Sequence, residues 1–400
     1  MFRGDRVGGD IPVLETPGES PSPPARKLDL KAYLMREPVM ITVLSTVAII
    51  CFSAVSWLSS MYHAQQKSLG AEWFNRGAAD LAQRRYKLAV SEFRTALLYS
   101  RGDYTYQLNL AEALVGQQRI EEAEAYLANL WDRQPENGLV NLELARIAAQ
   151  KGQPDRALRY YHNAIYATWP ADHEQARRQT RLELISYLLK IHQKEQAQSE
   201  LIALAANLGD DADQQAMVGN LFIQAGDDRD ALAAYRVSLK TSPDNAAALS
   251  GAGRAAFELG QYRLAKQYLE SARAADPNDA EIAARLETAS LVMQLDPFRR
   301  RISVAERDRI VMDTFASASQ RLASCPAIDT TNDPAQPSLS ETLTKMKPQI
   351  TERNLQRDPD LVEHAMELVF NIENLSSAAC GNGTPTDRAL VLISRLHEGN

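Results

Sequence analysis

The stretch RRYKLAVSEFRTAL, Arg84 to Leu97, places a small Ala89 four residues ahead of a large apolar Phe93. QRIEEAEAYLANLW, Gln118 to Trp131, repeats the arrangement with Ala123 and Leu127, and GQPDRALRYYHNAI, Gly152 to Ile165, repeats it with Ala157 and Tyr161. The three alanines stand 34 residues apart, and twelve residues before each comes another small position, Gly77, Ala111 and Ala145. The series resumes at Ala197, Ala231 and Ala265, again 34 apart, after one step of 40 whose extra residues fall in TWPADHEQAR. Pro135, Pro243 and Pro277 close units at the same phase. A fixed period of this length is the mark of a stacked-repeat architecture, in which a single helical hairpin cannot bury its apolar face but a row of hairpins can.

The spacing resembles the tetratricopeptide repeat (TPR) family over residues 70–277, six units, with Trp73 and Gly77 matching the opening Trp and small residue of the family pattern. The resemblance implies an all-α, right-handed superhelical TPR solenoid. Ile185 departs from the small position in the fourth unit and Ser238 from a helix-B alanine in the fifth, so looser packing is expected at Ile185. In the family, side chains of each unit's first helix line a concave groove that binds a partner. The matching positions here are Phe74, Leu108, Glu112, Leu142, Arg146, Leu182, Ser186, Asn220, Arg254 and Phe257. The lysines that clamp a chaperone C-terminus in one TPR subtype are missing from GAEWFNRGAADLA and GLVNLELARIAAQ, which argues against that subtype.

LSGAGRAAFELG, Leu249 to Gly260, carries the G-x-G-x-x-A spelling of a dinucleotide-binding turn. That turn needs a preceding β-strand, and PDNAAALS offers no β-branched or aromatic run. Gly253 instead falls on the small helix-A position of the sixth unit, in phase with Gly219. Ala256 is expected to face the packing seam, and Gly260 to follow the helix end.

PVMITVLSTVAIICFSAVSWLSSMY, Pro38 to Tyr62, contains no charged side chain and reaches beyond a ~30 Å hydrocarbon core, so it is expected to span a membrane as a helix. Arg26, Lys27, Lys31 and Arg36 precede it, against Lys67 and Arg76 after it, which predicts a cytoplasmic N-terminus and an outward repeat domain. Residues 1–37, with five prolines among glycines and serines, read as a disordered tail. This layout is similar to bacterial inner-membrane repeat proteins that accompany translocation or envelope-complex assembly. It implies an inner-membrane protein with a periplasmic TPR domain.

After Pro277, residues 278–296 read as a capping helix and residues 297–400 as a further helical region. Ser303 with Glu306 and Ser338 with Glu341 are capping boxes, and Asp358-Pro359 opens another helix. Ala389 and Ile393 echo the repeat pair. Cys325 and Cys380 flank helices of this region on the side assigned to an oxidising compartment, so they are expected to pair, whereas Cys51 lies in the span.

The 400 residues are 45% hydrophobic, 24% charged and only 7% aromatic, with a formal net charge of −7. Nucleic acid is therefore not an expected partner, since phosphate binding needs clustered Lys and Arg. Six scattered histidines form no H-E-x-x-H, and neither a C-x-x-C, a G-x-S-x-G nor a P-loop occurs. The expectation is a non-enzyme with no cofactor, no metal and no small-molecule substrate. It would be tethered to the bilayer through residues 38–62 and bind protein partners of a membrane or envelope complex. The alternative is an enzyme or ligand sensor with its site in residues 297–400.

Overall fold

The computed structural model describes residues 30–169, 173–329, 337–381 and 383–397. Every regular element among them is helical; Asn137 and Thr168 add one isolated β-bridge. Two compact units divide the chain between Ala123 and Glu124.

The first unit holds α1 (Leu30–Ala82), α2 (Tyr86–Tyr99) and α3 (Tyr104–Gly116), and α4 (Ile120–Arg133) begins in it. Of the tail expected to be disordered, residues 1–29 lie outside the described residues, but residues 30–37 are already helical. LKAYLMRE consists mostly of good helix formers. The helix also runs without a break between Tyr62 and Gly70. HAQQKSL contains no proline or helix-stopping pair, so the apolar segment runs on into the first helix of the first repeat. Within α1, the stretch from Met40 is long and apolar enough to cross a membrane, and its large side chains, Phe52, Trp57 and Tyr62 among them, are exposed.

The second unit continues with α5 (Gly138–Gln150), α6 (Pro154–Tyr166), α7 (His173–Lys190), α8 (Lys194–Ala205), α9 (Ala212–Ala225), α10 (Asp228–Thr241), α11 (Ala246–Glu258), α12 (Tyr262–Ala275) and α13 (Ala280–Leu295). Each helix from α5 to α12 packs on the next in the chain. Three further regularities explain why the units repeat. A capping side chain recurs two residues after the phase of the prolines, at Asp103, Asn137, Asp211, Asn245 and Asp279. Each accepts a hydrogen bond from a backbone N–H of the helix it opens, at 3.0 Å from Tyr106 and 3.1 Å from Val140, for example. Such caps satisfy N–H groups that the helix itself leaves unpaired. A left-handed residue turns the chain between the two helices of every hairpin, at Arg84, Gln118, Gly152, His192, Gly226 and Gly260. Gly260 follows the end of α11 as its sequence position predicted, while arginine, glutamine and histidine hold the same conformation at a cost of about 1–2 kcal/mol each.

The third regularity is a small-to-large pair sixteen residues apart. A Cβ on Gly77 would stand 2.7 Å from the Phe93 ring, one on Gly219 2.6 Å from Tyr235, and one on Gly253 2.7 Å from Leu269. The small residue lets the two helices close until the large side chain lies against backbone. Ile185 does not loosen the fourth unit: it and Leu201, the large residue of that unit, are both fully buried in the same core. Ser238 is fully buried and its hydroxyl has no hydrogen-bond partner among the described residues, so this departure from alanine destabilises its unit. In the longer third step, Trp169 lies over Gly138 and donates from its indole N–H to the Ala164 carbonyl at 3.0 Å.

The rest of the second unit is α14 (Val304–Ser324), α15 (Leu339–Met346), α16 (Glu352–Arg357), α17 (Pro359–Cys380) and α18 (Pro385–His397). Ser303, Ser338 and Asp358 cap their helices as the sequence predicts, and α15 gives way to a 3-10 turn at Pro348. α14 and α18 pack on α17, and α18 also packs on α13. Val311, Ala365, Met366, Val369, Ala389, Leu390 and Ile393 form the fully buried centre of this region. Cys325 and Cys380 are joined, with Cα atoms 6.1 Å apart, which ties the end of α14 to the end of α17.

Candidate partner-binding face

Tyr235, on α10, organises one face of the repeat helices. Its side chain is the largest of the fully buried ones. Gly219 and Gly251 both lack a side chain where the ring lies, since a Cβ on Gly251 would stand 2.2 Å from the ring carbon bearing the hydroxyl. The two glycines of the G-x-G-x-x-A string therefore have separate packing roles, Gly251 against Tyr235 and Gly253 against Leu269. The phenol emerges at the edge of the ring and donates to Asn220 Oδ1 at 2.7 Å. Burial pushes the Tyr235 hydroxyl well above its ordinary pKa, so it remains a donor.

That bond fixes the side-chain amide of Asn220 with its oxygen turned to Tyr235. Its NH2 is then presented to the cavity beyond. This cavity, about 240 Å3, lies among α9, α11 and α13 and is lined by Asn220, Ile223, Ser250, Arg254, Glu281 and Arg285, with Tyr235 beneath. Arg285 is paired with Glu281 one turn away. Arg254 is exposed and has no hydrogen-bond or ion-pair partner among the described residues. With Glu281 paired to Arg285 and the other lining carboxylate, Asp279, engaged in capping α13, the arrangement offers one amide and one guanidinium without a hydrogen-bond or ion-pair partner to a carboxylate or a backbone carbonyl.

The other expected groove positions divide differently. In the first unit Phe74 stacks on Tyr106 at 4.6 Å between ring centres and tilts against Phe93 at 5.6 Å, so it is a packing residue. Leu108 is only 9% exposed, while Glu112 is exposed. In the second unit Leu142 is 7% exposed and Leu182 packs on the same core. Ser186 turns its hydroxyl back to the Leu182 carbonyl at 2.9 Å. Arg146 is exposed, but it is ion-paired with Glu143 and bonded from Nε to Glu183 at 2.9 Å; the Glu183 contact foremost raises its already high pKa. Phe257 meets Tyr262 edge-on at 5.3 Å and packs against both cores. Only Asn220 and Arg254 of the expected set come together in the cavity. Tyr235, Gly251 and Arg285 were not among the expected positions; the first glycine of the string, Gly251, was the sequence signal for the Tyr235 seat.

Among the described residues, His, Cys, Asp and Glu form no group of three or more placed to hold a metal ion. The tetratricopeptide repeat family matches the chain at residues 80–137, 114–168 and 222–288. Among solved structures, it is similar to the C-terminal part of a TPR repeat-containing protein from Cytophaga hutchinsonii, at 15% identity over 61% of this chain and 94% of that one, with a TM-score of 0.43. It is also similar to YrrB, described as a TPR protein with an unusual peptide-binding site, at 18% identity over 48% and 95%, with a TM-score of 0.36. A third is the TPR2AB-domain:pHSP90 complex of yeast Sti1, at 19% identity over 65% and 95%, with a TM-score of 0.29. No curated protein matches the chain in sequence. With the 34-residue period, the recurring caps and the paired small and large residues, the family match identifies this chain as one that carries tetratricopeptide repeats.

Proposed function

We propose that this protein is a non-catalytic scaffold tethered in the bacterial inner membrane. Its α9–α11–α13 face would bind a carboxylate-bearing segment of a protein partner in a membrane or envelope complex. The observation that carries this reading is Arg254, a guanidinium without a hydrogen-bond or ion-pair partner, at a cavity that the Asn220 amide also lines. Repeat domains of this family act in protein–protein interaction, and arginines are prominent among residues that dominate such interfaces. The tether rests on the exposed apolar length of α1, and the orientation on the basic flank of that helix. A periplasmic position for the second unit also suits the joined Cys325 and Cys380.

Full-length tagged protein carrying Arg254→Glu, purified in mild detergent, tests the reading. The partner that accompanies the unaltered protein is lost, with affinity reduced at least ~30-fold, the effect of a dominant interface residue. Melting is unchanged, because Arg254 is exposed and unpaired. Retention of the partner by Arg254→Glu, or its equal loss on Arg236→Glu in the exposed surface of α10, overturns the assignment.

A further inference from the structure

The C-terminal helices enclose a second cavity, separate from the Arg254 face and independent of the function proposed for it. It measures about 290 Å3 and is walled by α14, α17 and α18, with Phe257 of α11 and Thr288 of α13 completing it. At one side lies Glu373, which is 1% exposed and has no hydrogen-bond partner on either carboxylate oxygen. Buried carboxylates are ordinarily satisfied, because leaving one bare in a poorly hydrated site is strongly unfavourable.

The neighbours of Glu373 do not supply what it lacks. Asp387, from α18, is a second carboxylate, and it already accepts from the Thr384 backbone N–H at 2.7 Å. Arg321, from α14, is engaged through one terminal nitrogen with the Ser376 and Gly381 carbonyls and stands 3.9 Å from Asp387, while its buried Nε has no hydrogen-bond partner. Arg388 and Arg395 line the same cavity, seven residues apart and so two turns along one face of α18, yet neither bonds to Glu373. Arg388 reaches only the Gly383 carbonyl at 3.4 Å, and Arg395 has no hydrogen-bond or ion-pair partner among the described residues. Phe257, Val391 and Leu392 provide an apolar wall. One small cavity thus holds an unmet carboxylate, unmet guanidinium capacity and an apolar surface, with nothing bridging them.

We propose that this cavity binds a small zwitterion of amino-acid type, its ammonium on Glu373, its carboxylate on Arg388 and Arg395, and its side chain against Phe257 and Leu392. The volume lies just below the ~300–1,000 Å3 found for small-molecule pockets, which favours a ligand of this size. An ammonium would give Glu373 the charge-assisted hydrogen bonds it lacks. Burial foremost, and Asp387 next, push the Glu373 carboxyl up to about 7, with Arg321 opposing. A cationic ligand must draw the proton off, so its affinity rises with pH through that region.

Thermal melting and calorimetry on the full-length protein in detergent, with each of the common amino acids supplied singly at millimolar concentration, test the proposal. At least one amino acid raises the melting temperature, since a ligand bound only to the native state stabilises it. The N-acetyl and carboxamide forms of that amino acid do not, which shows that both charges are read. Glu373→Gln and Arg395→Ala each weaken binding at least tenfold, the second being an exposed position whose change leaves the fold intact. Affinity for the unaltered protein is lower at pH 6 than at pH 8. The proposal is overturned if no amino acid binds at ten millimolar, if an N-acetyl or carboxamide form binds equally well, or if Arg395→Ala binds as the unaltered protein does.

Discussion

Replacing Tyr235 by alanine lowers the unfolding free energy of the second unit by about 3–5 kcal/mol, the range for deleting a large aromatic side chain from a core. The ring is fully buried, and two glycines from different A helices, Gly219 and Gly251, are shaped to it. Removing it leaves a void that neither glycine can fill, and α9 and α11 lose their shared wedge. Tyr235→Phe retains the ring and removes only the bond to Asn220, so it costs about 1 kcal/mol. Denaturant unfolding of the full-length protein measures both. A loss below 1 kcal/mol for Tyr235→Ala would show that the ring does not wedge the two helices. The Phe variant has a second use: it should weaken partner binding more than stability, because Asn220 is then no longer oriented.

Glu373→Gln has the opposite sign and stabilises the protein, by about 3 kcal/mol above pH 7 in the absence of ligand. The carboxyl titrates at about 7 in the folded chain against 4.5 for an ordinary glutamate, with burial the main cause. Between those values the native state keeps a proton that the unfolded chain has released. The unfolding free energy therefore falls as pH rises from 4.5 to 7, and the full deficit is present above 7. At about 1.4 kcal/mol per unit, the interval gives the magnitude stated. Glutamine does not titrate, so the gain it brings shrinks as the pH is lowered and nearly vanishes at pH 4. Melting curves of the two proteins at pH 4, 6 and 8 check this. A gain that is the same at all three would sink the assignment of a buried, raised carboxyl at Glu373.

The repeats were legible because their signal is periodic. Alanines, small residues and prolines recur at a fixed phase, and a stack of hairpins needs each of them at that phase. The caps at Asp103, Asn137, Asp211, Asn245 and Asp279 follow the same period. The left-handed turns were half hidden, since arginine, glutamine and histidine occupy three of the six positions where glycine would have announced them. The continuity of the apolar segment with the first repeat helix was not legible, because good helix formers between Tyr62 and Gly70 neither start nor stop a helix. The groove was the least legible part. Helix-A phase alone cannot separate a residue that faces outward from one that packs on its neighbour, and Leu108, Leu142 and Phe74 took packing positions. Glu373 gave no local signal at all, because its surroundings are assembled from helices far apart in the chain.

The central claim, that the face carrying Asn220 and Arg254 meets a protein partner, is tested most directly by site-specific photo-crosslinking in intact cells. A photoreactive residue is placed singly at 247, 281, 236 or 240, all exposed positions, the first two in the cavity lining and the last two on α10 outside it. The account predicts one common crosslinked protein from 247 and 281, none from 236 or 240, and loss of the crosslink at 247 when Arg254→Glu is added. Crosslinks to that protein from 236 and 240 but not from 247 and 281 would contradict it.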